Sequence, residues 1–241
     1  MTKIVAYTMN EQFIHLQGKE MENKRLKEIY EAASCLFIRQ GYSKTQISHI
    51  AKAIGVSVGT IYHDFTGKKE IMHFVLKCTI DPNFINREFD RPITDDVFSG
   101  LEKEIISTFE GTLNNLSSHL STNAEDYTFE ALISDAFDLL SKYAVGCLFI
   151  EKNQNDCGKL AGYYKEHRKK FYMVMLKYVS IFIEKGIVRQ LKYPELSVNV
   201  IIEILTWWGM DMRYCSFETW DIPNELAKEV CMDNIITAYK I

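Results

Sequence analysis

The chain has 241 residues, 47% of them hydrophobic and 25% charged, and a formal net charge of −4. That length buries a substantial core and suits one small domain plus one larger one. Four prolines and few Gly-Pro or Asn-Gly turns argue against a sandwich or barrel, and no run approaches the roughly 18 apolar residues of a membrane span.

Residues 1–20, MTKIVAYTMNEQFIHLQGKE, hold too many polar positions for a signal peptide. They read as a leader ahead of the first helix or as an N-terminal arm over a nucleic-acid duplex, with Lys3 and Lys19 as its basic groups. Next, Leu26, Ile29, Ala33, Leu36 and Phe37 recur at three- and four-residue steps, a core-facing helical stripe. Gly41 follows it as the left-handed residue that closes a helix. Thr45 is placed to cap a second helix whose Ile47, Ile50, Ala51 and Ile54 face the same core. A helix start with a hydroxyl cap is also a phosphate site, which gives Thr45 a second role.

Ala51, Gly55 and Ile61 stand four and six residues apart, the spacing of a helix-turn-helix. The small Ala lets two helices cross closely, Gly takes the positive φ of the turn, and Ile61 plugs the second helix into the first. Ser57 stands where an N-cap belongs. A helix starting there presents Val58, Gly59, Thr60 and His63 at the end that a recognition helix pushes into the major groove.

The words IYEAASCLFIRQGY, TQISHIAKAIGVSVGTIYHDF and TGKKEIM, between Lys24 and about Lys77, resemble the DNA-binding domain of TetR/AcrR-type transcriptional regulators. The likeness covers about the first third of the chain, and several words agree in register. It implies an all-α fold: a three-helix helix-turn-helix domain (21–68), then a larger helical regulatory and dimerisation domain (69–241). It also implies a homodimer on a palindromic double-stranded DNA operator. The implied DNA-binding residues are Thr45, Ser57, Val58, Gly59, Thr60, Tyr62, His63 and Lys68. Tyr62 and Lys68 would touch phosphate, and Val58–Thr60 with His63 base edges. Packing between helices is the alternative for Tyr62, and a solvated face for His63. Asp64 departs from the aromatic or basic residue frequent before the family's Phe. Facing phosphate it would repel, so it is expected to point away or to bond Lys68. No arginine lies in this helix, which removes the bidentate reading of guanine.

Charge is unevenly placed. Up to Cys78 there are eleven Lys and Arg against seven Asp and Glu, or +4, and beyond it seventeen against twenty-five, or −8. A basic head on an acidic body suits a DNA-binding protein better than the total suggests.

The segment holding Ile71, Phe74, Val75 and Leu76 reads as a connecting helix that Asp81-Pro82 kinks or ends. Helical patterns follow over 95–120, 126–143 and 159–185, the last closed by Gly186. Another runs to about Cys215 and a final one from Pro223 to Tyr239. The helices 160–183 and 196–212 resemble the family's dimerisation pair, with Trp207, Trp208 and Gly209 as interface candidates. The run Lys165–Lys170 reads as a solvated face. A pocket for a small, largely apolar effector is expected among Phe98, Phe109, Phe129, Phe137, Tyr143, Cys147 and Phe149.

The six cysteines are scattered without a Cys-x-x-Cys pair, as in a cytoplasmic protein with reduced thiols. There is no Gly-rich phosphate loop, no Gly-x-Ser-x-Gly elbow and no His-Glu-x-x-His. No catalytic residue, metal or cofactor is expected. Two functions stay open: a ligand-released repressor, and a DNA-bound adaptor that recruits a protein partner.

Overall fold

A computed structural model describes residues 23–217 and 221–241, so the expectations for the leader 1–20 lie outside the described residues. All regular structure among the described residues is helical. The helices are α1 (23–39), α2 (Ile47–Ala53), α3 (Val58–Asp64), α4 (Lys68–Ile80), α5 (Leu101–Ser117), α6 (Phe129–Lys152), α7 (Lys159–Glu184), α8 (Pro194–Thr206), α9 (Met212–Tyr214) and α10 (Asn224–Tyr239). None is long and apolar enough to cross a membrane.

Contacts divide the chain into two units. The first holds 23–36 and Lys44–Ser99, and the second holds Phe37–Ser43 and Gly100–Ile241. In the first, Leu26, Ile29, Ala33, Ile50, Ala51, Ile61 and Phe65 are buried together as the apolar spacing requires. Gly55 turns the chain between α2 and α3 at φ +71. Helix α4 ends at Asp81, just before Pro82. The following segment straps back over the end of α3, where Ile93 donates its N–H to the Asp64 carbonyl (2.8 Å) and accepts from Thr66 N (3.1 Å). Phe84 and Phe89 pack on Phe74 of α4, at ring separations of 5.8 and 6.0 Å, and Phe98 reaches Phe84 at 6.1 Å.

The second unit is built on α6, which continues to Lys152 rather than ending at 143. Its residues Tyr143–Ile150 are buried in an unbroken run, so this part of the helix is apolar all round, the mark of an interior helix. The expected start of α5 at 95 is instead a 3₁₀ turn, Asp95–Phe98, and α5 begins after Gly100 at φ +82. Helix α8 passes through a π turn, Trp207–Asp211, into α9. Gly186, at φ +72, closes α7 as expected.

Phe37–Ser43 belongs to this second unit. The Phe37 ring lies 5.2 Å from that of Tyr42 and 5.8 Å from that of Phe149. Buried Asn153 accepts from Tyr42 N (2.6 Å) and donates to the carbonyls of Phe37 (3.1 Å) and Phe149 (2.8 Å). Gly41 makes the intervening turn at φ +92.

Candidate functional site

Helix α3 starts at Ser57, whose hydroxyl accepts the Thr60 N–H at 3.1 Å and lies 2.9 Å from the Thr60 hydroxyl. This cap fixes where the helix begins and so which residues face outward. Ile61 and Asp64 turn inward, while Val58, Gly59, Tyr62 and His63 are exposed, Tyr62 by 51%. Thr60 is half-buried and its hydroxyl is shared with Ser57.

Asp64 anchors the other end of α3. Its fully buried carboxylate accepts from Arg25 through Nε and through Nη2 (2.6 Å), from Arg91 Nη1 (3.1 Å), and faces His63 Nδ1 at 3.3 Å. Burial alone would raise its pKa. Hydrogen bonds from Arg25 and His63 and the charges of Arg25 and Arg91 outweigh this, and the carboxyl titrates below its ordinary value. It does point away from the outer face, as expected, but its partners are arginines from α1 and from the strap rather than Lys68.

One other expectation needs correction. Thr45 does not cap α2: the cap is Gln46, in a reciprocal capping box with His49. Thr45 is buried and aims its hydroxyl at the Leu36 carbonyl, because its neighbour occupies the cap position. Lys68 donates to the Thr45 carbonyl at 2.9 Å, which ties α4 to the entry of α2. Thr45 and Lys68 are thus brought together with each other. Exposed Lys44 and Lys52, which make no ion pair among the described residues, were missed as candidates. Lys44 immediately precedes the misassigned cap, so a correct cap reading would have drawn attention to it.

In the second unit, a cavity of about 40 Å³ lies among α5, α6, α7 and α8. Of the seven candidates, Phe109, Tyr143 and Cys147 line it, joined by Leu139, Leu140, Phe171 and Ile202. The other candidates are placed elsewhere. Phe98 belongs to the first unit, Phe129 and Phe137 fill the core against α7 and α8, and Phe149 packs on Phe37 and Tyr42. An open groove of about 290 Å³ adjoins the cavity and shares Thr112, Leu139 and Tyr143 with it.

The cavity also takes Tyr164, His167, Arg168 and Thr206 from helices that the sequence assigned to dimerisation. His167 and Arg168 lie in the run read as a solvated face. Only part of that run is solvated: Lys169 pairs outside with Glu166 (2.7 Å), while Arg168 turns in to Glu151 (2.5 Å). Alternating charge hid a single inward turn of helix.

Of the interface candidates, Trp207 is 45% exposed and Trp208 packs partly on the core. Gly209 is buried inside the chain. A Cβ there would meet Ser141 N at 3.5 Å and Leu140 Cβ at 3.6 Å, ordinary contacts that set this residue against α6.

Residues 29–74 match the model of the family described as bacterial regulatory proteins, tetR family. The HTH-type transcriptional repressor KstR2 of Mycobacterium tuberculosis is 31% identical over 81 residues, 34% of this chain and 39% of that protein. The HTH-type transcriptional regulator HbdR of Aromatoleum sp. is 39% identical over 62 residues, 26% of this chain and 27% of that one. The chain thus spans about two fifths or less of the curated relatives it matches. The solved structure of the ketosteroid transcriptional regulator KstR2 of Mycobacterium tuberculosis aligns over 90% of this chain and 95% of its own, with 14% identity and a TM-score of 0.49. In its N-terminal third, the chain carries the helix-turn-helix domain of the TetR family.

Proposed function

We propose that this chain is a homodimeric, sequence-specific DNA-binding transcriptional regulator, a repressor released by a small, largely apolar effector. The observation that carries the reading is α3: a Ser57-capped helix in a TetR-family head, with Val58, Gly59, Tyr62 and His63 exposed at its surface. Gly59 permits close approach of backbone to a base pair, and Val58 offers methyls to thymine. The His63 ring can bond a base edge, and the Tyr62 hydroxyl suits a phosphate. Thr60, its hydroxyl shared with Ser57, contributes its methyl. Lys44 and Lys52 add counter-charge to the DNA backbone.

A second copy is supported by α8 and the π turn that continues it, where exposed Leu196, Val200 and Trp207 follow at steps of four and seven residues. An apolar stripe of this kind suits an isologous helix pair. The effector is supported by the lined cavity of the second unit.

Genome-wide mapping of bound DNA, followed by titration of the recovered duplex, tests the reading. The expected site is near-palindromic, with half-sites separated by about one helical turn or slightly more. Affinity should fall with salt at a slope near −0.9 per phosphate neutralised. Equal affinity for scrambled duplex overturns it.

A further inference from the structure

The cavity among α5–α8 has a polar inventory that a purely apolar effector leaves unused. Its walls are mostly apolar: Phe109 from α5, Leu139 and Tyr143 from α6, Phe171 from α7 and Ile202 from α8. The one fixed charge among its lining residues, Arg168, is met by Glu151 at 2.5 Å, and Tyr164 donates to the same carboxylate at 3.0 Å. That pair is self-contained and leaves no counter-charge inside the cavity for an ionic group, which would have to shed its water uncompensated there; Asp135, Asp138 and Lys142 line only the adjoining groove. The Cys147 thiol, pushed up to about 12 by burial, supplies no charge either.

Three lining groups make no hydrogen bond among the described residues: the hydroxyls of Thr206 and Tyr143 and the His167 ring. The buried Thr206 hydroxyl has no hydrogen-bond partner among the described residues. A threonine inside a helix ordinarily bonds the carbonyl four residues back, as Thr79 does with Val75 at 3.0 Å. Buried His167 lies at 5.3 Å from the Phe109 ring, nearly parallel to it, and 6.0 Å from Tyr163, and makes no hydrogen bond among the described residues. Burial, helped by Lys170, pushes its pKa down to about 4. At neutral pH the ring therefore offers one donor and one acceptor and no charge. The Thr112 hydroxyl is already committed to the Phe109 carbonyl at 2.8 Å. The remaining polar capacity is thus a neutral imidazole and the hydroxyls of Thr206 and Tyr143, set in an aromatic wall.

We infer that the cavity takes an uncharged molecule with a flat apolar body and one hydroxyl or carbonyl group, held by hydrogen bonds to His167 and Thr206 against Phe109, Tyr143 and Phe171. A space of about 40 Å³ admits only a few heavy atoms. The polar group and part of the ring fill it, and the rest of the molecule extends past Leu139 and Tyr143 into the adjoining groove. This deepens the effector reading and rests on it for the consequence at DNA, though not for binding itself.

The test is calorimetric titration of the full-length protein with 4-ethylphenol, against ethylbenzene, 4-ethylbenzoate and 4-ethylbenzylamine. The phenol should bind at least about tenfold more tightly than either ion, because an unpaired charge is excluded from the site. Thr206→Val and His167→Phe should each weaken it by about five- to tenfold, the worth of one neutral hydrogen bond, while His167→Gln should recover part of the loss. Thr206→Val keeps the side-chain shape and carries the test should His167→Phe fail to fold. Equal binding of either ion, equal binding of ethylbenzene, unchanged phenol affinity in both variants, or no binding of the phenol at all would overturn the inference. A separate competition with operator DNA distinguishes the two readings. Phenol binding that depends on His167 and Thr206 but leaves DNA affinity unchanged sustains this assignment and overturns effector release.

Discussion

The two units hold themselves together by different means. The first closes its short helices with polar clamps. Asp64 takes two arginines, Asp95 takes Lys69 (2.6 Å) and His73 (2.7 Å), and Lys68 takes a backbone carbonyl. The second relies on long helices around aromatic and aliphatic packing, with Phe129, Phe137, Tyr178 and Phe182 fully buried. Size explains part of the difference, since a small unit buries a lower share of its surface and leans more on each polar contact. The proposed function would account for the rest: a head meant to read DNA leaves one side of α3 uncovered and holds that helix from its ends. The contrast implies that charge and pH act mainly on the head, and packing changes mainly on the body.

Asp64→Asn should break this comparison most visibly. It removes the carboxylate that Arg25 and Arg91 share and leaves two cations facing each other. A buried pair broken on one side typically costs about 3–5 kcal/mol, and partial exposure of Arg25 lowers this to about 2–4 kcal/mol. All three tryptophans lie beyond residue 206, so their fluorescence reports the second unit alone. Far-ultraviolet dichroism should show an early transition that tryptophan fluorescence does not follow. The pH dependence has a definite sign. The folded carboxyl titrates below the unfolded value of about 3.9, so its contribution is complete above that value and lost as pH falls through the folded one. The gap between wild type and Asp64→Asn should therefore be widest near neutrality and narrow below pH ~4. Coincident transitions by both probes would mean that the two units do not differ as argued.

The converse perturbation is Gly209→Leu. The extra side chain meets the α6 backbone at Ser141 and Phe137, and overpacking of this kind costs about 1–3 kcal/mol. Tryptophan fluorescence should now shift, with little dependence on pH. Gly209→Ala adds only an ordinary contact in a helical position and should leave stability within about 1 kcal/mol of wild type. Sedimentation should find the oligomeric state of Gly209→Ala unchanged, whereas Trp207→Ala, at an exposed site, should shift it toward monomer.

How much of this was legible in sequence follows the same division. The head declared itself because short helices depend on local signals: the Ser57 cap, the Gly55 turn and the Ile61 plug were all readable within a few residues. Thr45 misled because Gln46 and His49 form a capping box from residues outside the Ser/Thr-x-x-Glu pattern. The Asp64 clamp could not be read, since its partners lie 39 residues before it and 27 after. In the body, helix periodicity placed the elements but not the cavity. Nothing in FEALISDAFDLLSKYAVGCLFIEK says which aromatics meet a void and which meet α7. The register between helices decides that, and His167 went unnoticed because neighbouring lysines made its helix look solvated.

A third test sharpens where one unit ends. Asn153→Ala leaves the amide of Tyr42 and the carbonyls of Phe37 and Phe149 without their side-chain partner, at a cost of about 1–3 kcal/mol. Because Phe37–Ser43 packs with the second unit, hydrogen exchange at Tyr42 should accelerate and the tryptophan-reported transition should fall. A loss seen only in the early, head-specific transition would move the end of α1 back to the head.

The smallest expected effect separates a lysine that builds the head from one proposed to face DNA. Lys68 resembles the family's phosphate contact, yet its ammonium sits on the Thr45 carbonyl, whereas exposed Lys44 has no ion-pair partner among the described residues. Lys44→Ala should lower the salt slope of operator binding by about 0.9, one phosphate's worth, with the head's melting transition unmoved. Lys68→Ala should do the reverse, costing about 0.5–1.5 kcal/mol of head stability and leaving the slope as it was. Both variants weaken binding in a single-salt assay, and only the slope tells them apart. Stability falls when a bond within the fold is lost, while the slope falls when a released counterion is lost. If Lys68→Ala flattened the slope, its ammonium would have to leave Thr45 on meeting DNA, and the clamp would be a resting position rather than part of the head's construction.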